Sequence, residues 1–483
     1  MTAENTSYGT LAIFRKRSTL FSCGYCKDNG KRNFSHGCLI QSLTYKVFES
    51  LLDRGWSSFL GLVAIELSPL GYNITMDRGW RRSGNYLYKP IMDKTCCPQY
   101  TIRLNLDKFI LSKSHKKVFK NIKHFLQIGE CKTRILNEEN ISLPIKKAKN
   151  NSETETKEES IDKSRRMSKK KNIRRERALE KLKSKGIDIE EYQKERQKKE
   201  DNRKKTLSNY IEEIKSIEGQ HKLQFRLVYI GSDAFKETKK ESYNVYKKYQ
   251  EVIHKDPNNS EANWHDFLCC GNIFKGSGSS KTSNITYGAY HYHYILDGNI
   301  IAVSVLDILP HLISAKYFYY DPQYAFLNLG TFSALHEIYF AQTLHASDPK
   351  LKYYYMGFYI HNCPKMRYKA NFRPSELLCD HSYQWMDLKE AVDMIEKNDG
   401  KFTIFYPDVD GIETIDLDRV RFINPRKEIH GYRSMSRQSG YEYLNDPYQR
   451  EVIQYMMNRI GKACYNMKFF IIGERINYDS DSD

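Results

Sequence analysis

I-T-Y-G-A-Y-H-Y-H-Y-I-L-D-G-N-I-I-A-V-S-V-L-D, residues Ile285 to Asp307, decides the fold. Two runs rich in aromatic and β-branched residues flank Asp297-Gly298, a dipeptide that supplies the two positive φ angles of a type I′ turn. The stretch therefore predicts an antiparallel hairpin. Working outward, Leu312 to Tyr320 reads as a third strand. Phe326 to Leu344 reads as a helix with Leu329, Phe332, Leu335, Ile338 and Phe340 among its apolar positions. Tyr353 to His361 reads as a strand, and Ser375 as the cap of a short helix. Upstream, Phe225 to Ile230 suits a strand and Lys236 to Val252 a helix. Hairpin, strand, helix, strand, helix is the core order of the GNAT acyltransferases, so the class expected is α+β.

The amino-terminal part has a different centre. C-G-Y-C places Cys23 and Cys26 at metal-ligand spacing, and Cys96 and Cys97 form an adjacent pair inside a basic, aromatic stretch from Asp77 to Arg103. Two thiol pairs brought together make a four-sulfur site, which suits zinc or an iron-sulfur cluster. Nearby, Ser42 to Arg54 reads as an amphipathic helix, Tyr100 to Leu104 as a strand, and Lys113 to Phe125 as a basic helix with Val118, Phe119, Ile122 and Phe125 on its apolar face.

With 483 residues and 40% hydrophobic content the chain is long enough for two or three ordinary cores. Eleven cysteines, with adjacent pairs at 96-97 and 269-270, argue against a disulfide framework and for a reducing compartment. No secretory leader is read in the first twenty residues, and the longest apolar run, Phe59 to Leu67, is too short to cross a bilayer. The net charge of +18 points to a polyanionic partner. Between Arg165 and Lys205 stand 18 Lys and Arg against 8 Asp and Glu, so most of that excess sits in one low-hydrophobicity segment. The expected organisation is an N-terminal cysteine-cluster domain at 1–130, a charged linker at 131–222, a GNAT-like domain at 223–470 and an acidic tail at 471–483.

C-G-Y-C, R-R-S-G (Arg81 to Gly84) followed by Y-K-P (Tyr88 to Pro90), C-C-P-Q-Y-T-I-R (Cys96 to Arg103) and S-K-S-H-K-K (Ser112 to Lys117) resemble the amino-terminal half of the arginyl-tRNA–protein transferase family. Tyr353 to Tyr368 and Phe372 to Cys379 resemble its carboxy-terminal half. The resemblance implies a GNAT-like fold and an iron-sulfur cluster on Cys23, Cys26, Cys96 and Cys97, with zinc as the alternative. It implies no nucleotide cofactor, and arginyl-tRNA as co-substrate. It implies transfer of arginine to proteins that begin with Asp, Glu or oxidised Cys, as a mark for N-degron degradation, by a monomeric enzyme of the cytoplasm that binds no membrane. The basic linker carries tRNA contact and nuclear import as rival readings.

Selecting an acidic terminus requires fixed cations, and Arg is best suited because its planar fork binds both carboxylate oxygens. The candidates are Arg81, Arg82 and Lys89 beside the cysteines, and Lys365, Arg367 and Arg373 beyond the last strand. His291 matches a family histidine, and Asp307 and Tyr320, at strand ends, are candidates for taking the amine proton. Two departures stand out. D-R-G-W occurs at Asp53 to Trp56 and again at Asp77 to Trp80, so Ser57 to Trp80 reads as an insertion and Arg54 and Arg78 as rivals for one place. Asp380 stands where the family usually has proline. The competing classes are an acetyl-CoA-dependent GNAT enzyme, disfavoured because Asn328 to Thr331 lacks a Gly-rich pyrophosphate loop, and a non-enzymatic RNA-binding protein.

Overall fold

In the computed structural model, residues 9–11, 19–23, 25–26, 32–39, 41–43, 61–66, 69–84, 86–130, 194, 205–257, 259–270, 286–424, 426 and 428–472 are described. Residues 1–130 with 214–483 make one compact unit and 131–213 the other. Most of the second, like the tail beyond 472 and residues 44–54 of the expected early helix, lies outside the described residues.

The first unit is built on an eight-stranded sheet. In chain order its relevant elements are β1 (Thr19–Ser22), β2 (Arg32–Leu39), α1 (Pro69–Met76), β3 (Arg81–Ser83), β4 (Tyr86–Pro90), β5 (Tyr100–Asn105), α2 (Lys113–Ile128), β6 (Leu223–Tyr229), α3 (Asp233–Tyr249), β7 (Gly288–Leu296), β8 (Asn299–Ile308), β9 (Leu312–Tyr320), α4 (Leu329–Ser347), β10 (Tyr353–Tyr359), β11 (Ser375–Leu378), β12 (Trp385–Asp387), α5 (Leu388–Lys397) and α6 (Pro447–Ile460). The order across the large sheet is β12-β11-β5-β10-β9-β8-β7-β6, and β1-β2-β4-β3 form a smaller one. The hairpin turns where expected: Leu296 pairs with Asn299 across Asp297 and Gly298, both at positive φ.

Strand β5, from the amino-terminal part, lies between β10 and β11 of the carboxy-terminal part and pairs antiparallel with both. One change from the sequence reading follows from it. Ser375 to Leu378 is a strand, not a capped helix, because Ser375, Glu376 and Leu377 join the β5 ladder opposite Leu104, Arg103 and Ile102. Alternation sends successive side chains to opposite faces. One face carries α3 and an aromatic core of Phe235, Tyr246, Trp264, Val303, Val305 and Tyr319. The other face carries α4, whose Phe332 meets Phe225 and the Phe119 ring of α2.

The stretch read as an insertion is part of the framework. Gly61–Glu66 pairs with Lys468–Ile472 in a third sheet. Tyr72 and Met76 of α1, with Trp80, join Leu312, Tyr355, Phe422, Ile453 and Met457 in a second core. The second D-R-G-W copy is fixed there. Arg78 Nη2 donates to the Asn458 carbonyl at 3.0 Å and Trp80 Nε1 to that of Arg459 at 3.2 Å, capping the end of α6. Arg54 lies outside the described residues.

Candidate active site

The site forms where the sheet parts. β9 and β10 run parallel but pair over only three residues, Leu312, Ile313 and Ser314 against Tyr353, Tyr354 and Tyr355. Beyond that point each strand bulges. The register of β9 skips Lys316 against β8, and that of β10 skips Met356 and Gly357 against β5. Gly357 takes φ +74, where a side chain would be strained, and a Cβ there would lie 3.7 Å from Lys369 Nζ.

Strand β3 lays two arginines over this parting. Arg82 Nη2 donates to Asp307 Oδ1 at 2.5 Å and its Nε to Oδ2 at 3.3 Å, while Nη1 donates to the carbonyls of Gly84 at 2.9 Å and Cys270 at 2.8 Å. Four of its five N–H groups are thus committed; burial opposes the charge, but Asp307 and Tyr72 together raise the guanidinium's pKa above its ordinary value. Arg82 is a framework cation.

Arg81 is placed otherwise. It is 5% exposed, its Nη1 donates to the carbonyls of Trp80 at 2.7 Å and Met76 at 3.4 Å, and its Nε and Nη2 have no hydrogen-bond partner. The guanidinium lies 5.5 Å from the Tyr355 ring centre and 5.4 Å from that of Phe358. Burial pulls its pKa below the ordinary arginine value. A buried guanidinium with two unpaired donors has the chemistry to take an anion.

Lys89 is already paired. Its Nζ meets Asp380 Oδ1 at 2.8 Å, the Arg78 carbonyl at 2.9 Å and the Tyr383 hydroxyl at 3.1 Å. The residue that departs from the family pattern therefore neutralises a lysine only 1% exposed. Lys365, Arg367 and Arg373 are exposed on the turns after β10, and Arg373 Nε donates to the Ala370 carbonyl. His291 is wholly buried among Phe235, Trp264 and His293 on the α3 side, and burial lowers its pKa to about 3. Its neighbours make it a core residue, and Lys316 lies within electrostatic reach of it. Asp307 and Tyr320 are not brought together: Asp307 pairs with Ser314 and Ala302 with Tyr320, so the two stand six residues apart along β9, about 20 Å. Tyr320 packs on the Tyr249 ring.

Residues that the sequence reading did not single out complete the site. Lys316 Nζ donates to the Phe267 carbonyl at 3.1 Å, and burial together with the Arg82 charge brings its pKa down to about 7. Lys369 Nζ donates to the Phe358 carbonyl at 2.8 Å, and burial with the Arg81 charge brings it to about 7 as well. Asp77 accepts from the Tyr355 hydroxyl, and Tyr72 lies within electrostatic reach of Arg81, Arg82 and Asp307. The signal for Lys316 was a single cation interrupting the apolar strand L-I-S-A-K-Y-F-Y-Y.

Beside the parting, β1 and the loop before β5 bring the four cysteines together, with all four sulfurs within 4.8 Å of one another and Cys26 Sγ 3.8 Å from Cys96 Sγ. Ile360, Cys363 and Met366 pack against them. Burial opposes ionisation of Cys23, but the Cys26 and Tyr25 backbone amides and the neighbouring thiols draw it down to about 7. Burial and the Cys23 charge push Cys96 up to about 12. The donor set suits a metal that takes thiolates.

Comparison with known proteins gives the class to which this combination of parted sheet, fixed cations and buried amines belongs. A stretch of 92 residues, 19% of this chain, is 41% identical to 37% of an aspartate/glutamate leucyltransferase of Pseudomonas fluorescens; the class is that of the aminoacyl-tRNA transferases. Residues 21–117 match the family described as arginine-tRNA-protein transferase, N terminus, and 241–379 the one described as its C terminus. The arginyl-tRNA–protein transferase 1 of Drosophila melanogaster is 34% identical across 69% of this chain and 78% of its own length. Arginyl-tRNA–protein transferase 2 of Arabidopsis thaliana is 30% identical across 79% and 75%. The chain belongs to the arginyl-tRNA–protein transferase family.

Proposed function

We propose that the protein moves arginine from arginyl-tRNA to the α-amine of proteins whose first residue carries an anion, Asp, Glu or oxidised Cys, and so marks them for N-degron degradation. The observation that carries this reading is Arg81, a guanidinium 5% exposed whose Nε and Nη2 have no partner. A bidentate side-chain carboxylate satisfies both donors, whereas a neutral first residue leaves them unpaired in a dry site.

The donor ester is already activated, so binding and orientation supply most of the acceleration. The neutral α-amine attacks the ester carbonyl. The new C–N bond forms, the ammonium proton passes to Lys316, and the ester C–O bond breaks as the ribose oxygen leaves and takes up a proton. Lys316 with a pKa near 7 is matched to that task. Asp307, tied to Arg82, positions that cation.

The strand order, with two parallel strands diverging after three paired residues, supports a GNAT-like fold. The cysteines would hold a metal that fixes β1 against the loop before β5. A zinc–sulfur distance of about 2.3 Å spaces four tetrahedral sulfurs ~3.8 Å apart, which agrees with the 3.8 Å between Cys26 and Cys96. A four-iron cluster, with one thiolate on each iron, needs a wider spread, so the spacing favours a single zinc ion.

The test is to incubate the protein with charged arginyl-tRNA and two peptides, one starting with Asp and one with Ala. Transfer to the Asp peptide alone is expected. Equal transfer to both, or none, overturns the reading.

A further inference from the structure

The reaction proposed above has a second charge to recognise, the guanidinium of the arginine being moved, and that cation needs a carboxylate. Most acids near the parting have cationic partners: Asp307 with Arg82, Asp380 with Lys89, Glu376 with Arg103 and Asp321 with Lys248. Asp77 lies on the Arg81 side and accepts from Tyr355 and Asn73.

Glu337 is different. It sits in the middle of α4, 2% exposed, and accepts only hydroxyls: Ser304 Oγ at 2.6 Å and the Tyr354 hydroxyl at 2.7 Å. Among the described residues no cation lies within ion-pair distance of it. Tyr292, Tyr294, Tyr354 and Tyr368 all lie close enough for its charge to act on their phenols. Of these, Tyr368 is the exposed one, 39% on the turn Tyr368–Asn371.

We infer that Glu337 is the receptor for the side-chain guanidinium of the donor arginine, within a box of tyrosines that holds the flat cation on its ring faces. The inference rests on the transferase reading of the preceding subsection. A carboxylate and aromatic faces are the complement of a planar cation, as the unpaired donors of Arg81 are of an anion. The placement agrees. Tyr354 and Tyr355 are consecutive in β10, so the Glu337 box and the Arg81 pocket lie on opposite faces of the sheet, on either side of the point where β9 and β10 part. Donor and acceptor would approach from the two faces and meet in the gap. Burial lifts the Glu337 pKa to about 7, against the two hydroxyls that favour the charged form, and an arriving guanidinium reverses that shift.

The experiment uses full-length protein, arginyl-tRNA, a tRNA bearing citrulline as the neutral isostere, and an Asp-initiated peptide. Wild type is expected to prefer the arginyl donor by about 10²-fold or more. Glu337→Gln should reduce that preference to under about tenfold by raising the KM for arginyl-tRNA, with the KM for the peptide unchanged. That split is a response that a purely structural role would not give. Should wild type transfer nothing, the transferase reading falls; should it transfer while folded Glu337→Gln keeps the full preference, only the Glu337 assignment falls. A second measurement needs no variant. Argininamide should bind wild type more tightly than citrullinamide at pH 8, and equal binding overturns the assignment.

Discussion

Replacing Arg81 with methionine removes a buried cation and leaves a chain of similar length among the rings of Tyr355 and Phe358. Two guanidinium nitrogens have no partner in the free protein, and each buried donor left unsatisfied costs about 1–3 kcal/mol. Against this stand the bond to the Trp80 carbonyl at 2.7 Å, the long one to Met76 at 3.4 Å and two ring contacts near 5.5 Å. The first is worth about 1.5–3 kcal/mol and each ring contact about 0.5–1. The two sums, about 2–6 and about 2.5–5 kcal/mol, nearly cancel, in keeping with buried ions that are replaced by apolar groups at no loss. Activity, by contrast, should fall. Losing a desolvated carboxylate–guanidinium pair costs about 3–5 kcal/mol, so kcat/KM for an Asp-initiated peptide should fall about 10²–10³-fold, while the small rate with an Ala-initiated peptide holds. Urea midpoints and transfer rates with both peptides make the assay. A variant that loses several kcal/mol of stability and treats the Asp peptide as wild type does would refute the reasoning, because Arg81 would then be a structural residue.

Other perturbations follow from the same structure. Asp380→Ala strands Lys89, 1% exposed, without its anion, and should cost about 3–5 kcal/mol; adding Lys89→Met should restore most of the urea midpoint, and a double variant no better than the single would show that the pair is unimportant. His291 and His336, held near 3, and His293 and His115, held near 4 by burial, bind protons only once unfolded. Their contribution is complete above about pH 6.5 and is lost as pH falls toward those values, and Glu337, raised to about 7, offsets one proton of it. Stability should therefore fall by on the order of 3 kcal/mol per pH unit below pH 6, measured as urea midpoints, and His336→Phe should flatten that slope. The four-cysteine site should take one zinc ion per chain by elemental analysis, and Cys97→Ser should abolish it; visible cluster absorption after anaerobic preparation would contradict the single-ion assignment.

Local chemistry was legible in the sequence and long-range pairing was not. Asp297-Gly298 fixed the hairpin because both positive φ angles belong to two adjacent residues. Alternation marked Tyr100 to Leu104 as a strand, but its partners, β10 and β11, lie more than 240 residues away, and no local signal names them. The same distance explains Ser375, where four residues after a proline carry too little pattern to choose between helix and strand until the β5 ladder decides. Cys23, Cys26, Cys96 and Cys97 could be read because a C-x-x-C and an adjacent cysteine pair carry metal-ligand spacing in the local sequence. Arg82 and Asp307 were each legible as candidates, yet their bidentate pairing, which turns one into a framework cation, exists only in three dimensions. Lys316 acquires its low pKa from a bulge and from Arg82, neither of which its own segment encodes.

Y-Y-Y, Tyr353 to Tyr355, does not alternate, and a strand with bulky rings on successive residues is one covered on both faces. The structure gives each ring a charge to hold. Tyr353 lies under the Arg103 guanidinium at 3.9 Å, Tyr354 donates to Glu337 and Tyr355 to Asp77. A core strand buried for stability alone would carry Val or Ile, because each buried phenol adds a polar group that must be satisfied. Three consecutive phenols, each paired with a different ionisable group at the point where two parallel strands separate, are costly as packing. They fit a strand whose two faces must each present a charged pocket.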